Sequence, residues 1–532
     1  MKSSTKLAWS FALLSLLLYF YLGYSELVAR HDRPVQIDEL CFATCAARAS
    51  ELGQWFSSGC HDNKGPVIYV IYGGLHRLAG VYNYAAYKVC ALLFGLVLAG
   101  LAGRFAARLT GLATAGVVCF ALVLQVFALD PWMVALKTES VGMVLVLLAI
   151  TLIDASQKGL GRVALAGALL GLAFLTKQTF VFAAFALFLV LLANALSAAR
   201  GERHRPWLQV ICLGLGGVAT LIAIGLVFHA RGDLADAVSS VFVYPTVYAS
   251  KAAEASMLKR VLLKFAAIAE AAQPFALLLV FGVAAAVHGR RAGMQAGRER
   301  LASLLFAAFV GVLLALLAAP VFLRFHLLPV LVMAAIFAGA LLARLMVGLL
   351  DGPDRGWAPA VVAGVATVCV TVTLCAWGGQ PANSKRDEAQ WSRFKLAGHQ
   401  RAYGYVIGNW PEFYVQSGLI PASGVMYPTA LPGAPATWAY QPPDLSTRKG
   451  ARLAELQARN AEQLKADFMA TPPRVILVNP AMARAPGSSS TTDIAVLDAY
   501  LAAHCKESGE QAVNDREYRL GTLYVCDVGG PA

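Results

Sequence analysis

The sequence predicts a polytopic α-helical membrane protein of about eleven transmembrane helices, followed by a carboxyl-terminal soluble α/β domain. Three observations predict it. Of 532 residues, 58% are apolar and 14% are charged, against about 45–50% and about 25% in ordinary soluble domains. The apolar residues fall in blocks of about 16–24, close to the ~20 that a helix needs to cross a bilayer. After position 377 the composition changes abruptly, with strand-like runs at Tyr405–Ile407, Val475–Val478 and Thr522–Val525 and a polar helix near 447–469.

The first block, Leu7–Leu22, follows Lys2 and Lys6, and no small-x-small cleavage pattern comes before Arg30, so it reads as a retained first helix. Further blocks lie near 84–103, 112–129, 139–155, 161–176, 179–197, 208–228, 265–287, 301–319, 327–344 and 358–377. With a cytoplasmic amino terminus, the clusters at Arg104/Arg108, Lys158/Arg162, Arg200/Arg203/Arg205, Arg290–Arg300 and Arg344/Arg355 all fall inside, as the positive-inside rule requires. An odd number of spans in the cytoplasmic (inner) membrane then puts the carboxyl end outside, in the periplasm if the cell is Gram-negative and extracellular otherwise. Residues 1–377 form the transmembrane domain, including an outer loop at 30–83, and residues 378–532 form an outer-face α/β domain. In the outer loop, Asp38 and Glu39 precede an expected amphipathic helix, Leu40 to about Leu52, stopped by Gly53 and lying along the membrane surface.

The formal charge of +13 is accounted for by membrane orientation, and no nucleic-acid-binding motif is present. The ten cysteines show no CxxC or zinc spacing. Cys90, Cys119, Cys212, Cys369 and Cys375 read as packing residues, while Cys505 and Cys526 share a late soluble segment and would pair in an oxidising compartment. Gly167-x-x-x-Gly171 is a helix-packing pattern. Gly214, Gly216 and Ala219 match a dinucleotide fingerprint only formally, since no strand precedes them.

Ionisable groups at membrane depth are functional candidates. Asp38, Glu39, His61, Asp62, Lys64, Asp130, Lys137, Glu139, Lys177, Arg324 and His326 all map to the outer side. At a helix amino terminus, Asp38 and Glu39 suit a general base or a cation ligand; ordinary capping is the competing reading. Lys64 could hold a lipid phosphate or snorkel to headgroups. Lys177, set between two apolar blocks, calls for an anion, either Glu139 or a substrate phosphate. Arg324 could clamp a phosphate with His326 beside it, and Asp130 could cap a helix end. Together, acids to deprotonate a hydroxyl and cations to hold a phosphate leaving group describe glycosyl transfer from a lipid-phosphate donor.

The order of these motifs resembles the GT-C superfamily of membrane glycosyltransferases, family 39-like members above all: aminoarabinose transferases of lipid A and protein mannosyltransferases. The residues that carry it are Gln36-Ile37-Asp38-Glu39-Leu40, Asn63-Lys64-Gly65-Pro66, Thr138-Glu139, Gly171–Lys177 and Arg324–Pro329, over about residues 1–345. Val406–Tyr414, with Ser417-Gly418 and Pro421-Ala422-Ser423, is similar to the outer domains of bacterial members. The resemblance implies that Asp38 is the catalytic base of an inverting transfer, with Glu39 beside it, that Lys64, Lys177 and Arg324 bind the donor phosphate, and that Asp62, Glu139 and His326 support them. A divalent metal stays open, because Asn63 stands where some relatives carry an acid. The implied partners are a polyprenyl-phosphate-sugar donor, a glycan, lipid or protein acceptor, and the bilayer.

Three other functions compete. A pyrophosphate-dependent oligosaccharide ligase shares this chemistry. A lipid-linked glycan transporter would carry polar residues at the midplane of several spans, whereas here the charges gather on one side. A non-catalytic assembly factor predicts an indifferent Asp38.

Overall fold

The computed structural model describes residues 3–29, 37–53, 64–129, 133–155, 159–198, 204–243, 257–291, 296–319, 322–350, 402–407, 413–414, 417–425, 431–434, 444–479, 483, 492–514 and 519–527. They fall into two compact units. The first takes the described residues within 3–29, 87–224 and 257–350; the second takes those within 37–86, 225–243 and 402–527.

The first unit is helical: α1 (Ser3–Ala29), most of α4 (Tyr84–Thr110), α5 (Ala113–Leu129), α6 (Thr138–Asp154), α7 (Leu160–Thr176), α8 (Val181–Ser197), most of α9 (His204–Ala230), α11 (Met257–Ala272), α12 (Ala276–Arg291), α13 (Ala296–Ala318) and α14 (Leu328–Leu350); the short α10 (Leu234–Val238) falls in the second unit. Among the described residues seven segments are long and apolar enough to cross a membrane, and Ala113–Leu129 and Leu160–Thr176 are shorter apolar helices. The expected block at 358–377 lies outside the described residues. Helices α6 and α14 hold the core. Val330 to Ala338 is buried on every side, as are Met143, Val146, Leu147, Ala149 and Ile150, while α9 and α12 expose Leu215, Ile222, Leu226, Leu277 and Val280. In a bilayer those outward leucines face lipid at no desolvation cost, so a span can be apolar all round.

Close approaches explain the glycines. A Cβ at Gly167 would collide with the Leu213 carbonyl oxygen, and one at Gly216 with that of Ala164. Helices α7 and α9 therefore pack backbone to backbone, the small-residue contact expected in membranes.

Several arginines cap helix ends in this unit. Arg298 donates to the Thr110 carbonyl at 2.9 Å, Arg300 to that of Ile153 at 3.2 Å and Arg162 to that of Ala155 at 3.3 Å, and Arg108 pairs with Asp154. These cations sit on the carboxyl ends of α4 and α6, where unpaired carbonyls and the helix dipole favour positive charge.

The second unit is built on a five-stranded sheet, in the order β2-β1-β3-β5-β4. Its strands are β1 (Tyr403–Ile407), β2 (Ile420–Pro421), β3 (Val475–Val478), β4 (Cys505–Asn514) and β5 (Arg519–Cys526). Strand β1 pairs parallel with β2 and β3; β5 pairs antiparallel with β3 and β4. Both faces are covered. Tyr405, Ile407, Ile476 and Val478 pack with Leu464 and Phe468 of α15 (Arg448–Ala470) and Leu497 and Leu501 of α16 (Ala495–His504). Val406, Val475 and Leu477 form the opposite core with Phe413, Tyr414 and Leu523. That double burial explains why the central strands read as continuous apolar runs.

Cys505 and Cys526 face each other in the β4–β5 register and form a disulfide. Their separation of 21 residues sets the loop entropy. Replacing both by serine is expected to lower stability by about 3 kcal/mol, measured as the thermal midpoint of the non-reduced protein against the variant. Cys45 is disulfide-bonded as well, which the sequence did not signal.

By their contacts, the described residues 37–53 and 64–83 fall in the second unit with the sheet. One expectation changes here. Helix α2 (Ile37–Leu52) does not lie along a surface with one face free: Leu40 through Ala49 is buried almost completely. Alanines 43, 46, 47 and 49 and cysteines 41 and 45 make α2 thin enough to be packed all round, and Arg48 is buried at 1% exposure. The helix that is one-sided is α3 (Pro66–Ala79), which buries Ile68, Tyr69, Tyr72 and His76 and exposes Val70 and Leu78. Gly53, at φ +68°, ends α2 as the sequence predicts.

Candidate functional site

The expected residues divide between the two units. Asp38, Glu39 and Lys64 belong to the second; Glu139, Lys177, Arg324 and His326 belong to the first. Asp62, with His61, Asn63 and Asp130, lies outside the described residues.

In the first unit the structure joins three of the four. Helices α6 and α7 form a hairpin of two 17-residue helices, so the first turn of α6 and the residue after α7 come to the same end. Glu139 occupies the former and Lys177 the latter, and the two form an ion pair. Glu139 is 2% exposed. Its second oxygen accepts the Thr138 hydroxyl at 2.9 Å. His326, in the short 3-10 turn Arg324–Leu327 ahead of α14, accepts the Leu323 amide on Nδ1 at 3.3 Å, which leaves Nε2 to carry the ring proton; Nε2 lies 3.6 Å from the same Glu139 oxygen as the lysine.

Lys137, already among the sequence candidates, joins this cluster, and sequence reasoning left Lys88 out. Lys137 sits with its ammonium 3.1 Å from the centre of the Phe325 ring, and Lys177 lies 5.9 Å from the same ring. Buried Lys88 donates to the Val134 carbonyl at 3.1 Å and braces the segment that leads into Glu139. The signal for Lys137 was its place two residues before Glu139. For Lys88, deep in an apolar block, the signal was its charge alone. A cavity of about 20 Å³ is lined by Glu139, Lys177, Thr179 and His326 together with apolar Val312, Leu316 and Pro329. Arg324 is exposed and forms no ion pair or side-chain hydrogen bond with the described residues.

In the second unit Asp38 and Glu39 fill the first turn of α2, where the free amides and helix dipole favour carboxylates. They differ sharply in access: Glu39 is buried and Asp38 is half-buried. Lys64 directly precedes the Gly65 cap and Pro66 at the first position of α3. Among the described residues no three His, Cys, Asp or Glu side chains converge as a metal-binding group.

The apolar multi-helix unit and the α/β unit with its acidic helix turn make up a fold similar to that of solved ArnT structures. The particular likeness is to the crystal structure of ArnT from Cupriavidus metallidurans bound to undecaprenyl phosphate, with a TM-score of 0.56 and 15% identity over 98% of this chain and 99% of that one. The apo state of the same ArnT gives 0.55 and 16% over the same shares. The Archaeoglobus fulgidus oligosaccharyltransferase in its apo form is more distant, at a TM-score of 0.44 and 12% identity over 87% of this chain and 69% of that one. Residues 63–224, which include Lys64, Glu139 and Lys177, match the family model described as dolichyl-phosphate-mannose-protein mannosyltransferase. No curated protein matches the sequence.

Proposed function

We propose that this chain is an inverting glycosyltransferase working at the outer face of the cytoplasmic membrane, moving one sugar from a polyprenyl-phosphate carrier to a hydroxyl of a glycan, lipid or protein acceptor. The observation that carries the reading is the likeness over almost the whole chain to ArnT, a protein solved with undecaprenyl phosphate bound. The local chemistry agrees with it. Asp38, the accessible acid of its pair, takes the acceptor proton as the acceptor oxygen bonds to the anomeric carbon. The bond from that carbon to the phosphate oxygen breaks, and its electron pair leaves with the phosphate. Lys64, Lys177 and Arg324 are the cations assigned to that leaving group, where charge develops in the transition state. The Glu139–Lys177–His326 cluster, with Lys137, holds two ammonium groups beside one carboxylate, a balance suited to an anion.

Sidedness has two supports. The disulfides at Cys45 and at Cys505–Cys526 fit an oxidising compartment. Within the helical unit the arginines gather at the carboxyl end of α6, the end away from Glu139.

The test is turnover by purified protein with radiolabelled polyprenyl-monophosphate sugars and cell-envelope extract as acceptor. Release of polyprenyl phosphate, with the sugar transferred in inverted configuration, is the expected result. Donors left intact, or a product of retained configuration, would overturn the reading.

A further inference from the structure

Strand β2 is the edge of its sheet. Its inner side is used by β1: the amides of Ile420 and Ala422 donate to the carbonyls of Ala402 and Gly404 at 3.0 and 2.7 Å. Alternation along a strand turns the carbonyls of Leu419 and Pro421 to the opposite side, where an open row of acceptors would invite mispairing. Two side chains from the outer loop take them. The Tyr82 hydroxyl donates to the Leu419 carbonyl at 2.9 Å, and Arg48 donates to that of Pro421 at 2.6 Å.

Both holds are built rather than incidental. Arg48 is buried, pairs with Asp467 of α15 at 3.3 Å and reaches the Thr471 hydroxyl at 3.4 Å. Tyr82 has a φ of +60°, a left-handed conformation unusual for a side-chain-bearing residue. Its ring meets His76 of α3 edge-on, and burial lowers that imidazole to about 4, so the ring it packs on is neutral. Arg48 lies on the helix whose first turn is Asp38-Glu39; Tyr82 follows the helix that starts just after Lys64.

We propose that Arg48 and Tyr82 are positioning residues: they clamp the α2 and α3 segments to the edge of β2, so that the carboxyl-terminal sheet fixes where Asp38 and Lys64 stand. This rests on the glycosyl-transfer reading for its catalytic consequence. From Arg48 back to Asp38 is about 15 Å of continuous helix, a lever on which a small rotation at one end displaces the other. Displacement of a reacting group by about 1 Å can cost about a hundredfold in rate.

The experiment compares Tyr82→Phe, which keeps the ring and loses only the hydroxyl, and Arg48→Lys, which keeps the charge and loses the fork, with the double variant Cys505→Ser/Cys526→Ser. The last loosens the same sheet at its far edge, β4–β5. The full-length protein is used throughout. Expected are a fall in kcat of about tenfold or more in both clamp variants with donor KM within about threefold, and a disulfide variant that keeps its kcat. Amide exchange reads the clamp directly: protection of α2 should fall at least about tenfold in Arg48→Lys while the β3 amides keep theirs. The proposal is overturned by clamp variants within twofold of wild-type kcat, by an equal kcat loss in the disulfide variant, or by unchanged α2 protection. A wild-type protein that turns over no donor overturns the functional reading instead, and the exchange result still decides the clamp.

Discussion

Asp38→Asn is expected to retain donor binding within a few-fold and to lose sugar transfer by more than about a hundredfold, the scale of a lost general base. Asparagine matches aspartate in shape, sits well in the first turn of a helix and can still accept backbone hydrogen bonds. It cannot take a proton. The exchange therefore separates a capping role, which asparagine fills, from a basic one, which it does not. Access singles out Asp38 from its neighbour: Glu39 is 2% exposed, walled in where an acceptor hydroxyl has no approach, while Asp38 is half-buried on the same turn. Single-turnover transfer rates beside donor binding measured separately make the distinction. Equal rates for the two proteins would remove Asp38 from the chemistry and return the acidic pair to ordinary helix capping.

Composition made the membrane helices legible, because hydropathy alone decides whether a helix can face lipid. The expected block at 208–228 lies within α9, and that at 179–197 covers α8 and the end of the 3-10 turn before it. Strands β1, β3 and β5 were legible for a related reason, being apolar on both faces or at the centre of the sheet. The polar strand β4 was not: Lys506, Glu507 and Gln511 carry no alternating apolar pattern, and the strand is held by pairing with β5 and by the disulfide at its start. Burial of α2 was hidden too, since Arg48 and Glu51 at helical spacing imitate a solvated face. What the sequence lacks there is the partner, Asp467, 419 residues away.

The same contrast holds for the site. Two helices of equal length joined by a short turn bring their outer ends together, so Glu139 and Lys177 could be matched across 38 residues by counting alone. Which cation joins them was not countable. His326 and Lys137 arrive through the turn before α14 and the ring of Phe325, and both depend on packing between segments far apart in the chain.

Arg48→Ala is expected to destabilise the second unit by about 3–5 kcal/mol, the cost of breaking a buried ion pair by removing one partner. Burial pulls the Arg48 guanidinium below its ordinary range, and the Asp467 carboxylate opposes that pull; the charge is kept only because its acceptors are in place. With alanine, Asp467 keeps its neutral donors, the Ser423 hydroxyl at 2.6 Å, the Gly424 amide at 3.2 Å and the Gln463 amide at 2.8 Å, but loses its cation partner among the described residues, and a guanidinium-sized void opens within the unit. Arg48→Met combined with Asp467→Leu removes both charges and refills the volume, so most of the loss should return, since apolar pairs of similar size often match buried ion pairs in stability. Denaturant midpoints of the three proteins, followed by limited proteolysis of the carboxyl-terminal unit, measure the difference. Salt discriminates further: an exposed pair weakens as ionic strength rises, whereas this one is shielded from the solvent, and the gap between wild type and Arg48→Ala should persist in high salt. A single variant as stable as wild type, or a gap that salt closes, would mean that water reaches the guanidinium and that α2 is not held by it.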